Sequence, residues 1–342
     1  MKARMIRIAA AVAAALALSP AIAQEKVLNL YSARHYQTDE ALYSNFTRQT
    51  GIRINRIEGK EEELVERIRN EGANSPADVF ITVDAARLAQ ADAFGLFAPV
   101  RSALLEGRIP AHLRDPESSW FAFSTRARVI IYNKLKLKPA DVGNYEDLAK
   151  PALKGKLCSR SGAHPYNISL GAALIQHWGE PKTEEWARGV VANFARAPKG
   201  GDTDQIKAVA AGECDVALSN TYYLVRLLRS NKPEDRTMME RIGVVWPNQS
   251  GFGTHINISG GGMLKTAPNK DAAVKFLEYL ASDEAQTYFA NGNNEWPVVK
   301  SAVVSNPELK ALGDFRADTL NVGELARTTA QAQKVFDRAG YR

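Results

Sequence analysis

Cysteine is nearly absent: the 342-residue sequence holds two, Cys158 and Cys214. Thiolate metal sites favour close C-x-x-C pairs, and these two are far apart. Histidine is also scarce, at five, and is not clustered with cysteine, which sets zinc aside, as the want of a carboxylate-rich loop does calcium. There is no G-x-S-x-G elbow. Ser161-Gly162 beside His164 is the nearest thing to a nucleophile and base, but residues three apart on a turn need not face one another. An enzyme is therefore not expected. No single sign of charge dominates either: 44 Lys and Arg stand against 38 Asp and Glu. Three of the basic residues fall within residues 1–23, and the rest are scattered among acids rather than gathered in a stripe, so no nucleic acid is expected as a partner. Only the N-terminus carries a long apolar run, and the remainder is expected to be soluble.

That run has the layout of an export signal. Lys2, Arg4 and Arg7 precede apolar residues 8–18, and Ala21-Ile22-Ala23 supplies an A-x-A cleavage site. The run stops at Ser19-Pro20, short of the ~20 residues a membrane span needs. Residues 1–23 are read as a cleaved signal peptide and the periplasm as the destination. No cysteine follows the cut, so the signal for a lipid anchor is missing. In an oxidising compartment paired thiols become disulfides, and Cys158 is expected to bond Cys214.

Residues 24–342 are too many for one ordinary core and about right for two lobes with a cleft. Short β-rich runs at 26–31, 53–57, 78–83, 129–133, 155–158 and 215–219 alternate with amphipathic stretches at 61–70, 168–178, 206–211, 271–280 and 283–290. The fold class is α/β, with mixed sheets flanked by helices. Residues 120–124 and 243–246 are spaced as strands carrying the chain between lobes.

Chemistry concentrates in tyrosine. Three segments share the order strand, polar turn, helix, and each has tyrosine at the turn: Tyr31 to Tyr36, Ser159 to Tyr166, and Ser219 to Tyr223. These are strand carboxyl ends, where open α/β sheets bind ligands. Any one such ring could be a packing residue with a satisfied hydroxyl, as Tyr132 and Tyr279 are read. The adjacent pair Tyr222-Tyr223 says more, because at a helix start neighbours diverge by only about 100° and both can face one cleft. A phenol ionises near pH 10, so a phenolate cluster demands a hard, highly charged cation. Ferric iron meets that demand, and His35 could add a nitrogen.

The stretches Tyr31 to Tyr36, Glu71 to Val79, Cys158 to Tyr166, and Gly212 to Tyr223 resemble the iron(III)-binding periplasmic proteins of bacterial ABC importers, in the branch with a tyrosine-rich site. The resemblance implies a type II periplasmic-binding fold, two lobes joined by hinge strands. On this chain it implies lobe 1 at 24–122, lobe 2 at 123–246, a return to lobe 1 at 247–300 and C-terminal lobe 2 helices at 301–342. It also implies five ligands, His35, Tyr36, Tyr166, Tyr222 and Tyr223, and an inner-membrane permease as partner of a monomer. Some members carry a glutamate ligand where this chain has Val83, so that carboxylate is missing; a synergistic anion has only Ser161 and Gly162 to hold it. Four phenolates leave a net −1 around Fe3+ and −2 around Fe2+, and Arg34 and Arg126 are candidates to offset it. The competing expectation is an organic solute, such as a polyamine, packed between aromatic rings.

Overall fold

The computed structural model describes residues 26–34 and 36–342; the expected signal peptide, residues 1–23, lies outside them. The strands are β1 (Val27–Ser32), β2 (Arg53–Glu58), β3 (Val79–Thr82), β4 (Phe121–Asn133), β5 (Leu157–Cys158), β6 (Val216–Asn220), β7 (Ile242–Val245), β8 (Ile256–Met263) and β9 (Trp296–Pro297); the expected runs fall on β1 to β7 within two residues except at β4, which is longer, and β8 and β9 have no expected counterpart. They connect in the order β2-β1-β3-β8-β4-β6-β5, with β7 and β9 also pairing β4. β1 runs parallel to β2 and β3, and β5 parallel to β6. β8 runs antiparallel to both β3 and β4. Strands β3 and β6 are buried along their whole length, which is why they open on apolar triplets, Val79-Phe80-Ile81 and Val216-Ala217-Leu218, rather than alternating. Edge strand β2 has no fully buried residue.

The two lobes share β4. Its first half, Phe121 to Ala127, pairs β8, and its second, Arg128 to Asn133, pairs β6 and β7. Residues 120–124 and 129–133, which look separate in the sequence, are thus two ends of one strand whose 13 residues are all buried. Residues 243–246 do not carry the chain back. They belong to β7, held on the second-lobe half of β4 because Gly243 has no side chain under the Tyr132 ring; a Cβ there would lie 2.2 Å from Tyr132 Cζ. The strand that pairs first-lobe β3 on the return is β8.

Helices close the faces, and the expected ones are found at Glu61–Glu71, Pro165–Trp178, Asp202–Ala211, Lys270–Leu280 and Asp283–Asn291. The C-terminal helix Leu325–Ala339 packs on Pro165–Trp178 and on Glu180–Ala192. Cys158 and Cys214 form the expected disulfide, with Cα atoms 5.8 Å apart. It joins the end of β5 to the start of β6, and helices carrying tyrosine follow both strands.

Candidate metal centre

In the second lobe, two helix starts point at each other. His164 caps the Pro165–Trp178 helix, its Nδ1 accepting the Tyr166 backbone N–H at 3.2 Å. It can accept because burial, with Arg160 and Arg128 nearby, pushes its pKa down to about 3 and keeps the ring neutral. Proline at the first helical position is preset for the turn. The other start, Thr221–Leu228, is pinned to β4 by the Ala127 N–H, which donates to Thr221 Oγ1 at 3.3 Å. Tyr166 and Tyr222 place their hydroxyls 3.0 Å apart, and the Tyr222 and Tyr223 rings lie 4.2 Å centre to centre.

The first lobe contributes Tyr36, whose ring meets that of Tyr222 edge-on at 5.9 Å. Its surroundings are ionic. The Tyr36 hydroxyl donates to Glu295 Oε1 at 2.9 Å, and Arg126 Nη2 donates to the same oxygen at 2.7 Å. Arg126 also reaches Val83 O, Ser259 Oγ and, at 3.4 Å, the Tyr36 hydroxyl. Arg34 stacks 4.6 Å over the Tyr36 ring and pairs Asp39 at 2.6 Å, with Glu295 3.7 Å away. Ser124 Oγ donates to the second Glu295 oxygen at 2.7 Å. Burial opposes the charge on Glu295, yet Arg126 and Arg34 outweigh it and hold the carboxyl below its usual range.

Four of the five expected ligands therefore come together: Tyr36, Tyr166, Tyr222 and Tyr223. His35 lies outside the described residues. Val83, in the place of the missing glutamate, packs against Tyr36 and Tyr222. Arg34 and Arg126 are buried beside Tyr36 rather than solvated, but both are already paired with acids. Tyr31, at the first turn, is a packing residue that donates to Glu71. Ser161 and Gly162 offer little room for an anion: a Cβ on Gly162 would lie 2.1 Å from Tyr341 O, so the C-terminus fills that face. Ser161 Oγ accepts from Ala163 N and His164 Nδ1 from Tyr166 N, so both act as turn caps.

Sequence reasoning missed Glu295, which is 259 residues from Tyr36 and adjoins no tyrosine turn. The two-residue pairing of β9 with Ser124 and Thr125 and the Glu295 N–H bond to Phe289 O deliver it, and such a short strand leaves no periodic trace. It also missed Arg226, whose guanidinium lies 5.9 Å and 5.5 Å over the Tyr222 and Tyr223 rings. The spacing Tyr222, Tyr223, Arg226 on one helix was the available signal.

Burial pushes the phenols of Tyr36, Tyr166 and Tyr222 well up. Next in size, Glu295 acts on Tyr36, Tyr223 on Tyr166, and Tyr166 on Tyr222, all raising. Each is a neutral hydroxyl at pH 7, and only a cation of high charge repays its ionisation here. Among the described residues no group of three His, Cys, Asp or Glu could hold a metal, so the hard donors that converge are phenol oxygens.

Residues 41–317 match the family described as bacterial extracellular solute-binding protein. The chain belongs to that family. This solute-binding protein is 50% identical to Iron uptake protein A1 of Synechocystis sp. over 319 residues, 93% of the chain and 88% of the relative. It is 29% identical over 297 residues to the Fe(3+)-binding periplasmic protein of Serratia marcescens, covering 86% of each. Among solved structures it resembles Trichodesmium IdiA (FutA) in complex with iron and citrate ligands, with TM-score 0.88, 54% identity, and coverage of 92% of this chain and 100% of that one. The ferric binding protein from Campylobacter jejuni superposes with TM-score 0.87 at 43% identity, covering 92% and 100%. These likenesses show the two-lobe periplasmic-binding fold.

Proposed function

We propose that this solute-binding protein is the periplasmic component of an ABC iron importer, and that it carries Fe3+ between phenolates of Tyr36, Tyr166, Tyr222 and Tyr223 with His35 as a fifth ligand. The observation that carries this reading is the meeting of buried phenols from both lobes, each held protonated until a hard cation displaces the proton. The iron named for the relatives supports it. The protein binds and hands over its cargo to an inner-membrane permease, without catalysis and as a monomer. Lobe 1, at 24–122 and 247–300, and lobe 2, at 123–246 and 301–342, with β4 shared between them, close on the ion, since only closure completes the ligand set. Fe2+ would leave one more negative charge on the cluster and is the weaker fit.

Titration of metal-free protein with Fe3+ in air and with Fe2+ without oxygen, followed by absorbance and metal analysis, tests the reading. One equivalent of Fe3+ should bind and give a visible phenolate-to-iron band. A colourless protein that binds a polyamine instead would replace it with the organic-solute reading.

A further inference from the structure

Two separate turns must present three phenols to one ion, and a single buried carboxylate touches what holds both. Asp202 is fully buried. Its Oδ1 accepts Arg160 Nη1 at 3.0 Å, and the Arg160 guanidinium lies 5.0 Å over the Tyr166 ring. Its Oδ2 accepts the backbone N–H of Asn220 at 2.8 Å, at the cap of the helix that begins Thr221-Tyr222-Tyr223. The same oxygen accepts Arg128 Nη1 at 2.6 Å. Arg128, on β4, then donates Nη2 to Asn167 Oδ1 at 2.8 Å, and Asn167 is the neighbour of Tyr166. We propose that Asp202 is a positioning residue for the metal centre, a clamp whose two oxygens fix the Tyr166 turn and the Tyr222–Tyr223 helix start relative to each other. The inference rests on the iron reading above.

Geometry and charge make opposite predictions, which separates them. Asp202 offsets Arg160 and Arg128. Removing its charge leaves two guanidiniums unopposed near Tyr166, and electrostatics alone would then favour phenolates and tighten iron binding. The clamp predicts the reverse. In Asp202→Asn the amide supplies one acceptor oxygen and an NH2 group that faces a donor, so the two turns lose their common anchor and the phenols their register.

The test compares Fe3+ affinity and the phenolate-to-iron band in wild type, Asp202→Asn and Arg160→Lys, with circular dichroism and melting of the metal-free proteins. Arg160→Lys keeps the positive charge but loses the planar fork, and because the Arg160 side chain is 11% exposed, its change should burden the fold less than one at fully buried Asp202. Asp202→Asn should lose about tenfold or more in affinity, the range usual for residues that orient ligands, with a shifted band. Arg160→Lys should lose several-fold with a smaller shift. A purely structural role would lower the melting temperature and leave the band in place, and that outcome overturns the proposal. So does Asp202→Asn binding iron as tightly as wild type or tighter. Should Asp202→Asn not fold, Arg160→Lys decides: wild-type affinity and colour overturn the clamp. A colourless wild type overturns the iron reading itself.

Discussion

The two lobes bring the same donor to one place and hold it by different physics. Tyr36 in the first lobe sits in a web of ions, Arg34, Arg126, Asp39 and Glu295, assembled from distant parts of the chain. The phenols of Tyr166 and Tyr222 in the second lobe face each other through neutral hydroxyls, on helix starts set by caps, a disulfide and Asp202. All three lie high because they are buried. A phenol among fixed ions depends on every partner staying charged and in place. Phenols on short, cross-linked turns depend on backbone geometry, because the ions of that lobe, Asp202 with Arg128 and Arg160, bond the turns and not the hydroxyls. The lobes should accordingly fail in different ways.

Breaking the ionic web should cost most. Glu295→Gln leaves Arg126 and Arg34 short of a buried counter-charge and should destabilise metal-free protein by about 3–5 kcal/mol, read by denaturant unfolding. Opening the covalent link comes next. Its loop spans 56 residues, and reduction should cost about 4 kcal/mol of chain entropy in the unfolded state; thiol titration of denatured, unreduced protein should find no free thiol.

Acid should act at two histidines, half-buried His164 at the Tyr166 turn and His255 at a site apart from both sets of phenols. His255 is buried at the start of β8, and burial first, against the pull of Asp318, lowers its pKa from 6.5 to about 4. A depressed histidine stabilises fully above its ordinary value and loses that stability as pH falls toward the folded one. Metal-free protein should therefore lose up to about 3 kcal/mol between roughly pH 6.5 and 4. His255→Gln should remove its share of that slope and leave the share of His164, while leaving the acid-driven loss of iron, which belongs to the phenolates. Tyr36→Phe should weaken Fe3+ binding by about tenfold, or ~1.4 kcal/mol, because water can take the place of its oxygen. Tyr132→Phe, a packing ring over Gly243, should leave iron binding unchanged.

Much of this contrast is legible in the amino-acid sequence. Strand runs ending in polar turns place Tyr36, Tyr166 and Tyr222–Tyr223 at strand carboxyl ends, because turn chemistry and apolar periodicity are local signals. The return crossing is not legible there, since what ties β7 to the second lobe is the Tyr132 ring over Gly243, a contact between residues more than a hundred apart. Glu295 is invisible for the same reason. A lone carboxylate carries no period, and its meaning comes from Arg126 and Tyr36, which tertiary structure alone supplies. Arg34 and Arg126 stand out in the sequence by their charge but not by their partners, so the neutralisation of both by acids cannot be read from it.

The proposed iron site requires the adjacent tyrosines of the second lobe to be ligands. Fe3+ affinity and visible absorption of Tyr222→Phe and Tyr223→Phe test it most directly, because the change keeps each ring's packing and deletes one oxygen. Each variant should lose about a hundredfold in affinity, or ~2.7 kcal/mol, with a weakened or shifted phenolate-to-iron band. Wild-type affinity and colour in both variants would contradict it.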